Sequence, residues 1–321
     1  MINEQKRLSL RVSKVRELTP SIRAFELRDT LGQELPLVTA GSHICIEVEM
    51  PSGKKETRQY AICSNPAQRD FFEIAVQKAE QSRGGSDFIF NHFTVGTHIQ
   101  CDIPVNNFQL HADSSPAVLI AEGIGIAPIK AIAYTLALRG RRFALHYAGS
   151  SKTDMAFLDE LETLFRPHLI TYPEDENKYL DVMNLLADAS GNTLFYACGS
   201  NQLLDDMETS ARLLGIHKDR IQLESFSTST EENEKAVLLE LAYSNKLIQV
   251  DSGQSLLSAL RDAGAPVHFD CCVGDCGTCA LKVLDGEVEH RDHVLSDTQK
   301  AQGLMCVCVS RAKSEKLVLA I

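Results

Sequence analysis

Asp270-Cys271-Cys272-Val273-Gly274-Asp275-Cys276-Gly277-Thr278-Cys279 is the stretch on which the reading of this chain turns. Cys271, Cys276 and Cys279 stand in a C-x4-C-x2-C pattern, and Cys308 follows after 28 intervening residues. This is the spacing of a plant-type [2Fe–2S] loop, in which four thiolates converge on two irons. Gly274 and Gly277 omit the Cβ atoms that would hold the backbone away from inorganic sulfide. The N–H groups of such a loop then donate to sulfur and tune the potential. The competing readings are a structural zinc site, which would favour two paired C-x2-C knuckles, and a set of unrelated buried thiols.

Six of the ten cysteines lie between residues 271 and 308. Neighbours in extended chain point opposite ways, so Cys271 and Cys272 are not expected to bind together, and only Cys271 gives the x4 spacing. Cys306 and Cys308 lie two apart on what reads as one strand face, so alternation leaves the choice between them open. Cys45, Cys63, Cys101 and Cys198 sit among apolar neighbours and read as small buried hydrophobes.

Upstream of the loop, Val237 to Ala242 and Leu247 to Val250 read as strands around Tyr243-Ser244-Asn245-Lys246, and Ser255 to Ala263 as a helix stopped by Gly264. Residues 237–321 are therefore expected to form an α+β domain of the plant-type ferredoxin kind. Residues 227–236, beginning Ser227-Thr228-Ser229-Thr230, are polar and acidic without periodicity and read as a linker. Before it, residues 113–226 alternate buried strand and amphipathic helix: Ala117 to Ala121, about Pro128 to Leu138, Phe143 to Ala148, then Thr193 to Ala197 and Gln202 to Leu214. That order predicts an α/β domain with a parallel sheet covered on both faces. Residues 1–112 carry period-two runs (Leu8, Leu10, Val12; Ile44, Ile46, Val48; Phe72, Ile74, Val76) and predict an antiparallel β-barrel.

The chain of 321 residues carries a net charge of −11, which disfavours a basic nucleic-acid face. No apolar run approaches the ~18 to 20 residues of a bilayer span, and the start MINEQKRLSL lacks the apolar core of a signal peptide. The expectation is a cytoplasmic protein with no membrane contact, whose thiols stay reduced.

Two further loops carry chemistry. Ala121-Glu122-Gly123-Ile124-Gly125-Ile126-Ala127-Pro128 follows a buried strand and opens a helix, with Pro128 expected at the first helical position. Its glycines let the backbone approach a phosphate at the positive helix end. Ala197-Cys198-Gly199-Ser200 stands at a second strand end of the same sheet, so the two turns form a crevice. In the first domain, Tyr60 offers a ring to a flat cofactor, while Arg58, the Gly84-Gly85 amides and the Ser86 hydroxyl offer charge and donors to a phosphate.

R-x-Y, RGGS, GIGIxP, CG, ESF, C-x4-C-x2-C and the tail Glu289-His290-Arg291-Asp292-His293 occur in that order along nearly the whole chain. In this combination the chain resembles the phthalate dioxygenase reductase family. The resemblance implies FMN, NADH and a [2Fe–2S] cluster. It implies that Arg58, Tyr60 and Ala61 line the flavin, that Arg83, Gly84, Gly85 and Ser86 hold its phosphate, and that Gly123, Gly125 and Pro128 hold the dinucleotide. Cys198 and Gly199 would then sit near the nicotinamide, and Phe226 near the isoalloxazine. The match of Cys308-Val309-Ser310-Arg311-Ala312 to the family tail selects Cys308 as fourth ligand beside Cys271, Cys276 and Cys279. The implied partner is a Rieske-type non-haem iron oxygenase.

Three motifs depart from the family pattern. Ala61 replaces a serine whose hydroxyl is expected near flavin N5, Glu122 and Ala127 replace Gly and Thr of GGIGITP, and Ser200 replaces Pro of CGP. A carboxylate beside a phosphate site is unfavourable unless it points away. Ser150, Ser151 and Lys152 follow the second strand of the nicotinamide domain and are candidate receivers of a 2'-phosphate. A nicotinamide gives two electrons as a hydride and a [2Fe–2S] cluster takes one, so a carrier able to hold either number must stand between them. Two alternatives share the motifs: a flavin reductase or diaphorase with another acceptor, and a non-enzymatic iron–sulfur redox sensor.

Overall fold

Leu10 and Val12 are fully buried on either side of exposed Arg11, and this alternation builds the first sheet. The computed structural model describes residues 7–49, 55–78, 85–226, 236–251, 254–269, 274, 276–292 and 294–321. The chain divides into two units, Met1–Ser225 and Phe226–Ile321.

In the first unit, β1 (Arg7–Thr19), β2 (Ile22–Asp29), β3 (Ser42–Glu49), β4 (Lys55–Ala61), β5 (Phe72–Gln77), β6 (His98–Asp102) and β7 (Val105–Asn106) form one antiparallel sheet. The order is β4-β3-β6-β1-β2-β5, with β7 paired to β3. A bridge between Ile62 and Ile74 joins the two ends of that path, so the sheet nearly closes into a barrel. Helix α1 (Gly85–His92), which the sequence did not announce, packs Ile89 and Phe90 into the barrel core.

Five parallel strands follow, β8 (Ala117–Glu122), β9 (Phe143–Gly149), β10 (Leu169–Pro173), β11 (Leu194–Gly199) and β12 (Ile221–Ser225), in the order β10-β9-β8-β11-β12. Helices α2 (Ile126–Leu138) and α3 (Leu158–Phe165) share a core with Leu119, Leu145 and Tyr196. Helices α4 (Val182–Ala187) and α5 (Asn201–Leu213) pack with Ile120 and Phe195, which point to the other face. Pro128 is the third residue of α2, not the first, because a 3-10 turn over Gly123–Gly125 runs straight into the helix. Its missing N–H still falls in the first turn, where no intrahelical partner exists. The strand order reverses between β8 and β11, which opens a crevice at their carboxyl ends.

Barrel and parallel sheet share one core, in which Ala61, Cys63, Ala75 and Phe108 join Ile126, Tyr196 and Cys198. At this seam lies Lys130 of α2, 1% exposed. Its Nζ is 2.8 Å from Glu73 of β5 and 2.7 Å from Glu160 of α3. Arg16 of β1 also pairs with both carboxylates. Two cations and two anions thus compensate one another, and the Tyr134 hydroxyl donates to Glu160 at 2.9 Å.

The second unit pairs β13 (Val237–Leu241) with β14 (Lys246–Val250) as a hairpin, followed by α6 (Leu256–Asp262). The Ser255 side chain caps α6 by accepting the Ser258 N–H, and Gly264 at φ 70° ends it. After β15 (Ala280–Asp285), β16 (Val288–Glu289), α7 (Asp297–Ala301), β17 (Leu304–Cys306) and β18 (Arg311–Ala312), the chain returns as β19 (Lys316–Leu319), parallel to β13. The sheet order β14-β13-β19-β15-β17 surrounds a core of Leu239, Leu260, Met305 and Leu317. The linker expected over 227–236 lies almost wholly outside the described residues.

Candidate functional site

Arg58 and Tyr60 are two apart on β4 and share a face. The Tyr60 ring is 8% exposed and its hydroxyl lies 3.0 Å from the Ser86 Oγ. Burial pushes the Tyr60 phenol up to about 12, so it stays protonated and able to donate. Gly85 opens α1, and a Cβ there would stand 2.7 Å from the Arg58 Nε. The guanidinium therefore lies against bare backbone at a helix N-terminus, where N–H groups lack intrahelical partners. Guanidinium, helix end and hydroxyl together fit a terminal phosphate. Arg83 and Gly84 lie outside the described residues. Ala61 follows at the end of β4 and is buried.

At the crevice of the parallel sheet, Gly123 adopts φ 54°, and a Cβ at Gly125 would collide with the Cys198 carbonyl oxygen. Only a bare backbone lets the two turns approach this closely, and the result fits a dinucleotide laid across them. The Tyr147 hydroxyl, 3.2 Å from the Gly123 carbonyl, ties the turn to β9. Cys198 is fully buried, and burial, reinforced by the Glu224 charge, raises its thiol well above the ordinary value, so it is neutral. Glu122 turns its carboxylate to Ser200, accepting the backbone N–H at 3.0 Å and the hydroxyl as well. Ser150 and Ser151 donate to Asp154 at 2.9 and 2.7 Å, and Lys152 pairs with Glu176 at 2.7 Å.

In the second unit, Cys279, Cys306 and Cys308 are all buried, and hydrogen bonds from Cys306 and then Cys308 hold the Cys279 thiol far below its ordinary value. Cys306 ends β17 whereas Cys308 lies in the turn beyond it, so the two do not share a strand face as the sequence allowed, yet both reach Cys279. The Thr278 N–H points at the Cys276 Sγ at 3.5 Å. Gly274 and Gly277 have φ of 87° and 73°, and a Cβ at Gly274 would meet Val309 Cγ2 at 2.8 Å. Converging thiols, a loop N–H turned to sulfur and glycines at left-handed φ fit an iron–sulfur cluster. Cys271 and Cys272 lie outside the described residues. Phe226 is the first residue of this unit and 40% exposed.

Sequence reasoning missed Asp154, the Glu122–Ser200 contact and Lys130. For Lys130 a signal existed, a single charge within the apolar run Ala127-Pro128-Ile129-Lys130-Ala131-Ile132-Ala133. For the other two only the fold supplies the partner.

A barrel with a phosphate cradle, a parallel sheet with a dinucleotide crevice and a thiol-lined loop define a modular flavin and iron–sulfur oxidoreductase. Residues 9–110 match the oxidoreductase FAD-binding domain family, and residues 239–313 match the 2Fe-2S iron-sulfur cluster binding domain family. The chain is 37% identical to the heme-dependent oxidative N-demethylase beta subunit of Ectopseudomonas mendocina (strain ymp), over 97% of this chain and 98% of that one. It superposes on phthalate dioxygenase reductase, a modular structure for electron transfer from pyridine nucleotides to [2Fe-2S], with a TM-score of 0.85 and 30% identity over 99% of each chain. It also covers 41% of an intact type IV self-sufficient cytochrome P450 monooxygenase, at 36% identity, 98% of this chain and a TM-score of 0.74. The chain belongs to the phthalate dioxygenase reductase family. It is an electron-transferring oxidoreductase that works with flavin, pyridine nucleotide and a [2Fe–2S] cluster. Among the described residues no helix is long and apolar enough to cross a membrane.

Proposed function

We propose that this chain takes electrons from NADH, passes them through FMN and a [2Fe–2S] cluster, and delivers them singly to an oxygenase component. The observation that carries the reading is the presence in one chain of a dinucleotide crevice, suited to a two-electron donor, and a thiol pocket, suited to a one-electron carrier. When bound, the flavin supplies the conversion between them. The protein's own residues bind and orient: Arg58, Gly85 and Ser86 at the flavin phosphate with Arg83 and Gly84, Tyr60 and Ala61 along the flavin, and Gly123, Gly125, Pro128 and Gly199 at the dinucleotide. Cys198 and Phe226 take the places beside the nicotinamide and the flavin that the resemblance implies.

Three finer points belong to the same reading. FMN rather than FAD is supported by a cradle in which the α1 N-terminus, Arg58 and Ser86 suit a terminal phosphate. NADH rather than NADPH is supported at the end of β9, where Asp154 engages both serines and Glu176 engages Lys152, so a 2'-phosphate meets carboxylates. The cluster ligands are Cys271, Cys276, Cys279 and Cys308. The oxygenase is of the Rieske type implied by the resemblance. A haem oxygenase is the second reading, favoured by the identity to the N-demethylase beta subunit and to the P450 monooxygenase.

Acid release and chromatography of the cofactor should give stoichiometric FMN, and a stoichiometric FAD peak would overturn that choice. Anaerobic mixing of the NADH-reduced protein with candidate oxygenases tests the outlet. Electron paramagnetic resonance of a Rieske centre or a Soret shift reports the acceptor. Transfer to small quinones or free flavin alone would contradict the oxygenase reading.

A further inference from the structure

Glu122 and Ser200 both depart from the family pattern, and the fold brings them together. Glu122 ends β8, Ser200 directly follows β11, and these strands are neighbours on either side of the crevice. The Glu122 Oε2 accepts the Ser200 N–H at 3.0 Å and the Ser200 hydroxyl proton. The same hydroxyl oxygen accepts the Leu203 N–H at 3.2 Å as the N-cap of α5, so Ser200 is fully engaged. A proline at position 200 has neither the N–H nor the hydroxyl, and a glycine at position 122 has no carboxylate. Gly199 is a further condition: a Cβ there would stand 2.8 Å from the Glu122 Cβ and 2.7 Å from Leu203 Cδ2. The two departures therefore make one contact, and neither residue makes it alone.

We propose that the Glu122–Ser200 clasp sets the affinity for pyridine nucleotide, by fixing a negative charge at the crevice and withdrawing a donor that a dinucleotide would otherwise meet. The proposal rests on the assignment of the crevice to pyridine nucleotide. Both effects weaken binding. A carboxylate held across the mouth opposes the charge of an incoming diphosphate. The Ser200 N–H at the α5 terminus, an ordinary donor to anions, is already satisfied internally. The result is a nucleotide site tuned to loose binding and fast exchange.

Titration of the holoprotein with ADP-ribose, which carries the diphosphate but no nicotinamide, reads this directly. Glu122→Gln keeps an acceptor for the Ser200 N–H and removes the charge, and should lower the ADP-ribose Kd about tenfold. Glu122→Gly also frees the Ser200 N–H and should tighten binding further. The gap between wild type and Glu122→Gln should narrow at high salt, as expected for a charge effect and not for a packing one. An unchanged or higher Kd in the folded Gln and Gly variants, with wild type still binding, would overturn the clasp alone. Failure of wild type to bind ADP-ribose or NADH at all would overturn the crevice assignment and the clasp with it.

Discussion

Ala61 stands at the end of β4, next to Tyr60, where the family pattern has a serine. One hydrogen bond is worth about 0.5–1.5 kcal/mol net. If the difference falls wholly on the hydride-transfer barrier, it corresponds to roughly 2- to 12-fold in rate. Ala61→Ser should accelerate flavin reduction at saturating NADH by that factor in anaerobic stopped flow; an equal or slower rate would mean that the missing hydroxyl is no handicap. A second residue-scale question concerns Cys306 and Cys308, which are 0% and 5% exposed and both face Cys279. Cys308→Ser should abolish the cluster's visible absorption and Cys306→Ser should retain it, the reverse pattern assigning the fourth ligand to Cys306. The spacing of Cys271, Cys276 and Cys279 is legible because a short loop fixes it covalently, whereas Cys306 ends β17 and Cys308 stands in the turn beyond it, a difference that alternation along the sequence does not encode.

Elements whose burial follows a strict period were legible in the sequence. β6 alternates buried Ile99 and Cys101 with less buried neighbours, whereas in β5 Glu73 and Ala75 are buried as well as Phe72, Ile74 and Val76; β13 and β14 bracket a turn with Asn245 at φ 51°, and Ser255 and Gly264 punctuate α6. Helix α1 was not, because Phe88, Ile89 and Phe90 suit a strand as well as a helix, and only packing against the barrel decides. Lys130 in α2 shows the same limit, since its partners, Glu73 and Glu160, come from β5 and α3. Removing one member of a buried ion cluster leaves charge uncompensated, so Lys130→Met should destabilise the protein by about 3–5 kcal/mol in denaturant titrations. Lys130→Met combined with Glu73→Leu should recover much of that loss; no recovery would argue against charge compensation. Burial alone would raise the Glu73 carboxyl, but Lys130 and Arg16 outweigh it and hold the group below its ordinary value. A depressed carboxyl contributes stability that is present above the unfolded value of about 4.3 and lost as pH falls through the folded value. The melting temperature should therefore fall on acidification below about pH 4, and less steeply in the double variant.

At the scale of the molecule, the order of modules was readable because each has its own hydrophobic grammar, and the break near Asp113-Ser114-Ser115-Pro116 marks the change from barrel to parallel sheet. What the sequence does not display is how closely those two modules join. Phe108 meets Tyr196 edge to face at 6.0 Å, the His111 N–H donates to the Tyr196 hydroxyl at 3.0 Å, and the Lys130 cluster spans the same seam. The residues proposed for the phosphate cradle and the dinucleotide crevice thus lie in one unit, and Cys279, Cys306 and Cys308 lie in the other. A relay that enters at the first unit and leaves from the second has a definite order of events. Anaerobic stopped flow of the holoprotein with NADH, monitored at separate flavin and cluster wavelengths, measures that order. The flavin band should bleach first and the cluster band in a later phase, and Cys308→Ser should keep the first phase while losing the second and most transfer to cytochrome c. Rapid cluster bleaching in flavin-free protein, or loss of the flavin phase in Cys308→Ser, would contradict the relay.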